Sequence, residues 1–454
     1  MGPRVFAGVL ATVVAAGLLA ACGSSSKKSS STTTAKSNAG ASSAPGVGVT
    51  PTEIKIGVAL VDFNCIKNFT PSIRENQDVG YNAFFNDVNA KGGVNGRKLV
   101  PVYESYCPIG SAAPLAVCTK LTEDDKVFAV MGTFVDFSGD AQSCVAKQHH
   151  TPLLTFNLTQ AIIGAAPPGL ILYPGTTNER LDRIVVQLLE QEKALKGKKV
   201  AVMGATDQTK IVNDSIVPAL KKANVPLGST AILSTGSNPD TTAAQAQLDS
   251  FIERWKGEGV NAVFLSGDVA SSTQFVTKLR QAMPKVTLMV DTTDVLDQYA
   301  SALKTQGVKP NPYEGMLTAT YPHALYDSGP NWAYCKGIYE KQTGKHAPNS
   351  QEVLTTPDGK NLDTYGNITD ACQLVTLFHD IALRAGKNLN ADSWAAAENS
   401  YGKINDPGSG PYASLHQGKY DIDDSFALVA LDTSIGAKGD WRPLTPVRDV
   451  TGGS

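Results

Sequence analysis

Short apolar runs of strand length, separated by longer runs with helical periodicity, constrain this chain more than any other feature. The alternation is set in its first repeat. Ile54-Lys55-Ile56-Gly57-Val58-Ala59-Leu60-Val61 is apolar and β-branched at its start, which suits a buried strand. A helix is expected from about Pro71-Ser72, because Tyr81, Phe84, Phe85 and Val88 recur at helical spacings and can cover that strand. Gly92-Gly93 ends it, since the residue after a helix often takes a left-handed conformation that glycine adopts without strain. Asn95-Gly96 is a second tight turn, and Lys98 to Tyr103 is the next strand. Pro101 inside that strand lacks a ladder donor, which places it at a sheet edge. The 2-1-3-4-5 order of a doubly wound sheet puts strand two there.

The alternation continues. Val127 to Met131 and Pro152 to Phe156 read as strands three and four. Near Tyr173-Pro174-Gly175-Thr176 it restarts, with a helix from about Asn178 to Leu195 leading to Lys199 to Gly204. Strands follow at Ala231 to Leu233, Ala262 to Leu265, Val286 to Val290 and Met316 to Thr320. This pattern argues for parallel sheets covered on both faces, in two similar layers. A chain of 454 residues suits two domains. The later helices Trp332 to Thr343 and Thr369 to Ala385, and the strand Phe426 to Leu431, are too few for a third layer and should complete the first two.

The beginning differs from the rest. Arg4, an apolar run from Val5 to Ala21, and Leu19-Ala20-Ala21-Cys22 read as a secretory signal, in preference to a membrane span. Residues 1–21 would then be a signal peptide. The Ser/Thr/Ala/Gly-rich stretch 22–51 cannot bury an apolar face and reads as a flexible tether with a reach of about 30 Å. Six cysteines remain beyond Cys22, an even number that suggests disulfides in an exported chain, with fifteen pairings open. The preferred set joins neighbouring elements: Cys65–Cys107, Cys118–Cys144 and Cys335–Cys372. A mixture of free thiols is the alternative.

The stretch Phe84 to Leu99, with Lys91-Gly92-Gly93-Val94-Asn95-Gly96-Arg97-Lys98 at its centre, resembles type I periplasmic solute-binding proteins, in the branch of the branched-chain amino-acid receptors of ABC transporters. The opening Ile54-Lys55-Ile56-Gly57, the Gly132 loop, Pro152-Leu153-Leu154 and Glu314-Gly315-Met316-Leu317 recur in the same order. Leu19-Ala20-Ala21-Cys22 resembles a bacterial lipobox, which implies a lipid on Cys22 and anchoring on the extracytoplasmic face of the cell membrane. The resemblance implies an α/β protein of two doubly wound parallel-sheet lobes joined by a three-crossover hinge. Lobe 1 would be 52–173 plus 321–420, and lobe 2 would be 174–320 plus 421–454. It implies a monomer that traps a small molecule and presents it to an ABC permease. A sensor with the same fold, regulating a partner instead of feeding a transporter, is the alternative.

Ligands in open parallel sheets sit beyond the carboxyl ends of the strands. That selects the loops bearing Phe63, then Phe134, Asp136 and Ser138, then Phe156, Asn157 and Thr159. In the second half it selects Asp207, Asp268 and Asp291. Thr159 falls where the resemblance implies a carboxylate-binding threonine. Asp136 stands where relatives carry a small hydroxyl residue, and Asp291 lies one residue from the implied ammonium partner. These loops carry Asp62, Asp136, Asp207, Asp268 and Asp291 against only Lys67 and Lys210, which points to a ligand bearing an amine or many hydroxyls, not a dianion. The plain alternative is that each Asp caps the helix after it. For the phenylalanines it is lobe core.

Other classes find little support. Forty basic residues against 42 acidic ones leave no nucleic-acid footprint. There is no nucleophile elbow, phosphate-binding loop or zinc-protease helix, so no enzymatic activity and no cofactor is expected. His149-His150 lacks a second ligand pair, so no metal is expected either.

Overall fold

The computed structural model describes residues 44–70, 72–136, 138–234, 242–291 and 296–451. The expected leader, Cys22 and most of the tether lie outside the described residues, as do Phe137, Thr292 and the side chain of Asp268.

Strand β1 (Glu53–Val61) lies between β2 (Lys98–Tyr106) and β3 (Ala129–Gly132), followed by β4 (Leu153–Thr155) and β5 (Ile171–Leu172). Every neighbouring pair is parallel. The order β2-β1-β3-β4-β5 is the one expected, and Pro101 sits on the edge strand opposite Ile56. The first long helix begins at Gln77, later than expected. Ser72–Ile73 extends instead and pairs in parallel with Asn361–Leu362, a partner nearly 300 residues along the chain. That helix buries Tyr81, Phe84 and Phe85, and packs on the helices Pro330–Thr343 and Thr364–Ala385. Burying each phenylalanine is worth about 1.5–3 kcal/mol. In the turn after it, Gly93 has φ +64°, and a Cβ there would lie 1.9 Å from the Arg97 carbonyl oxygen. Only glycine closes this turn.

The second sheet contains β6 (Val200–Ala205), β7 (Ala231–Leu233), β8 (Ala262–Leu265), β9 (Thr287–Val290), β10 (Leu317–Thr320), β11 (Ser425–Asp432) and β12 (Asp440–Pro443). Their order is β12-β11-β10-β9-β8-β6-β7. Alternate residues of β6 enter opposite cores, Ala201 and Met203 with Trp255, Val200 and Val202 with Ile184 and Leu188. This sheet is mixed: β11 is antiparallel to β10, and β12 to β11. The chain leaves this sheet at the end of β10 and re-enters at the start of β11, with Thr320 opposite Ala427. A strand that returns where another exits must run the opposite way.

The first sheet shares one core with residues from Tyr326 to Ile422. The connections between the halves run side by side. The Tyr173 N–H donates to the Tyr420 carbonyl (2.8 Å), and the Ile422 N–H donates to the Tyr173 carbonyl (3.0 Å). Arg180, almost fully buried, donates to the Asp423 carbonyl (2.7 Å) and pairs with Asp424, while the Thr177 N–H donates to Asp421 (2.9 Å). Cys65–Cys107, Cys118–Cys144 and Cys335–Cys372 are bonded, the set preferred from the sequence. Among the described residues no helix is long and apolar enough to cross a membrane.

Candidate functional site

The carboxyl ends of the first sheet carry a cavity of about 350 Å³ beyond β1 and β2. Asp62 caps the short helix Phe63–Ile66, accepting the Asn64 N–H at 3.0 Å, and both Asp62 and Phe63 line the cavity. Arg74, Glu75 and Asp78 line its other side. The Arg74 guanidinium is committed elsewhere: its Nε donates to Asp363 (2.8 Å) and its Nη1 to Asp370 (2.5 Å). Burial works against its charge, but the two carboxylates more than compensate and hold its pKa above the usual arginine value. Among the described residues Glu75 and Asp78 have no ion-pair partner, so the cavity leans acidic.

The loop after β3 is built around Asp136. This carboxylate, 6% exposed, accepts the Ala141 N–H (2.8 Å), the Ser138 N–H (3.1 Å) and hydroxyls from Ser138 (2.8 Å) and Ser111 (3.0 Å). Burial raises its pKa, yet these hydrogen bonds outweigh burial and hold it below the carboxylate range. Phe134 is fully buried, its ring edge-on to Tyr106 at 5.7 Å, and its N–H donates to Thr155. Both residues are occupied by partners within the first sheet and the segments beside it. Ser138 is exposed.

Beyond β4, Phe156 is half-buried against the core, and Asn157 is exposed with φ +58°. Thr159 caps the short helix Gln160–Ala165 through the Ile162 N–H (3.2 Å). The next N–H, of Gln160, is taken by Glu179 of the second half, at 3.1 and 3.2 Å to its two oxygens.

At the tips of the second sheet Asp207 is exposed, whereas Asp291 is fully buried. Asp291 accepts the Ser266 hydroxyl (2.7 Å) and the Gly267 N–H (2.9 Å). Asp182, on the helix Asn178–Gln191, is buried beside it. Burial raises both carboxyls, Asp182 the more strongly, with the Asp291 charge adding to its shift. The pair therefore holds protons more readily than isolated carboxyls do.

All the candidates whose side chains are described thus stand at strand tips, in separate clusters: Phe63 on the cavity, Asp136 with Ser138, Thr159 near Glu179, and Asp291 with Asp182. Sequence reasoning missed Arg74, Glu75, Asp78, Glu179 and Asp182. Glu179 and Asp182 were legible only as the polar face of an amphipathic helix, and Arg74 lies in a stretch with no periodicity. Cys118, Cys144 and His149 are close enough to suggest a metal, but the two sulfurs are spent on each other.

The family model described as periplasmic binding protein matches residues 68–355. The chain belongs to the periplasmic binding protein family. This binding protein has no match among curated protein sequences. Its fold is similar to a fatty acid ABC transporter substrate-binding protein from Thermomonospora curvata, at 16% identity and TM-score 0.60, over 90% of this chain and 95% of that one. It is also similar to a solute-binding protein from Rhodopseudomonas palustris in complex with 4-hydroxybenzoate, at 15% identity and TM-score 0.62, over 87% and 97%. A leucine-binding protein from Thermotoga maritima matches at 14% identity and TM-score 0.59, over 87% and 99%. The type I binding-protein fold, two α/β lobes joined by three crossovers, is common ground with these neighbours.

Proposed function

We propose that this binding protein captures a small polar solute, an amino acid or a related amine, amide or polyol, between its two lobes and delivers it to an ABC permease. Lobe 1 is 52–173 with 321–420, lobe 2 is 174–320 with 421–454, and a lipid on Cys22 holds the protein at the extracytoplasmic face of the membrane. Ligand contacts made only when the strand tips of both lobes meet drive closure.

The observation that carries the ligand class is the charge around the cavity beyond β1 and β2. Among the described residues Glu75 and Asp78 have no ion-pair partner at the cavity, while the nearby cation, Arg74, is bound by Asp363 and Asp370. Of the loop lysines, Lys210 is paired with Asp214. An ammonium or hydroxyl-rich solute meets this surface favourably and a dianion does not. Of the ligands named for the similar structures, leucine carries such an ammonium and 4-hydroxybenzoate does not.

A thermal-shift and calorimetry panel of amino acids, amides, polyols, aromatic acids and dicarboxylates tests the reading. An amine or polyol should raise the melting temperature in proportion to its concentration over Kd. Tight binding of a dicarboxylate would refute the ligand class, and silence across the panel would refute solute capture.

A further inference from the structure

The three crossovers join the halves wherever the halves stand, because the chain is continuous there. A second set of contacts has no such obligation. The helix Pro330–Thr343 ends at Gly344, and the next long helix starts at Thr364. The chain between them is long and mostly irregular, a kind of loop usually either functional or disordered. This one is held: the Ser350 N–H and hydroxyl donate to Asp327 (3.1 and 2.6 Å), and Asn361–Leu362 pairs with Ser72–Ile73.

Facing it is the hairpin loop between β11 and β12, which is braced on its own side. Lys304 donates to the Gly436 carbonyl (2.8 Å), and Thr433 donates to Glu314 (2.9 Å from its N–H). The two braced loops then meet. Lys438 Nζ donates to the Ser350 carbonyl (2.9 Å), the Gln351 amide donates to the Gly439 carbonyl (3.1 Å), and the Lys438 N–H donates to Gln351 Oε1 (3.3 Å). His323 Nδ1 lies 3.2 Å from Asp440 at the base of the hairpin. Gly436 has φ +52°, and a Cβ there would lie 2.2 Å from Gln351 Oε1, so the approach depends on glycine.

We propose that Ser350 and Gln351 of the first half and Lys438 and Gly439 of the second form a clasp, outside the strand-tip loops, that holds the two lobes together before any solute binds. Both surfaces are fixed within their own lobes, so the contact costs little further ordering, and it must break for the lobes to part. The clasp rests on the reading that the lobes open and close around a solute, but its test uses no ligand.

The experiment compares the full-length mature chain with two variants, Gln351→Ala/Lys438→Ala and Gly436→Ala. Circular dichroism and melting curves establish that each folds. Small-angle scattering of the ligand-free proteins should show a larger radius of gyration in both variants than in the wild type. Amide exchange should speed up at least about tenfold in 344–363 and 433–439, the change expected for losing two neutral hydrogen bonds and the charge-assisted one from Lys438 Nζ. Gly436→Ala reaches the same contact by a wedge instead of a deletion, so a folding defect in one variant leaves the other informative. Unchanged scattering and exchange in the folded variants would overturn the clasp. Failure of the solute panel would leave that result readable, and the two ideas fall separately.

Discussion

The two lobes solve the same structural problem with different materials. The first carries all three disulfides and an entirely parallel sheet; the second has no disulfide among its described residues and ends its sheet in an antiparallel hairpin. Their strand-tip acids differ in the same direction. Asp136 in the first lobe is saturated by four donors and held ionised, whereas Asp291 in the second has two donors and a second buried carboxyl, Asp182, beside it. The first lobe is a pinned scaffold. The second keeps a buried electrostatic cost beneath its strand tips, and its hairpin is the part that reaches across to the other lobe.

The largest effect should come from removing the pins. Cys118→Ser/Cys144→Ser should destabilise the first lobe by about 2–4 kcal/mol, read by denaturant unfolding, with amide exchange in 200–316 unchanged. Equal loosening of both lobes would break the contrast. Asp136→Ala should cost about 1–3 kcal/mol, measured by the same unfolding curves, because four donors lose their acceptor. A variant that lost only solute affinity, with stability intact, would show that Asp136 faces the ligand after all.

Asp182→Asn should move the other way and stabilise the second lobe by about 1 kcal/mol at pH 8. The folded-state pKa of Asp182 is raised, so the wild type is favoured at low pH and loses stability as pH rises above the unfolded value. The variant should lose Asp182's share of that slope, and keep the share due to the raised Asp291, in melting curves recorded between pH 4 and pH 8. The smallest effect concerns His323. Burial lowers its pKa, but Asp440 as hydrogen-bond partner and the charges of Asp297, Asp440 and Asp327 raise it to about 9. A raised histidine stabilises fully below its unfolded pKa of 6.5 and loses that contribution as pH climbs towards 9. With the side chain about a third exposed, the loss should be a few tenths of a kcal/mol. It should vanish in His323→Gln when the two pH–stability curves are compared.

Much of the architecture was legible in local pattern. Pro101 marked the edge strand, Gly92-Gly93 the helix end, and the cysteines their partners, because each depends on neighbours a few residues away or on one repeating unit. The start of the first long helix was misplaced because Ser72–Ile73 answers to Asn361–Leu362. The site was the least legible part. Asp62, Asp136 and Asp291 look alike in the sequence, yet one borders a cavity, one organises its own loop, and one is buried against another acid.

By itself the sequence determined the alternation of strand and helix, the restart near Tyr173 and the fold family, since hydrophobic periodicity and backbone-limited residues act over short range. Tertiary structure alone decided the reversed direction of β11, the partners of Arg74 and Asp182, and the meeting of Gln351 with Gly439. Those depend on where distant segments come to rest, and burial and charge pairing are properties of that arrangement, not of any one stretch of chain.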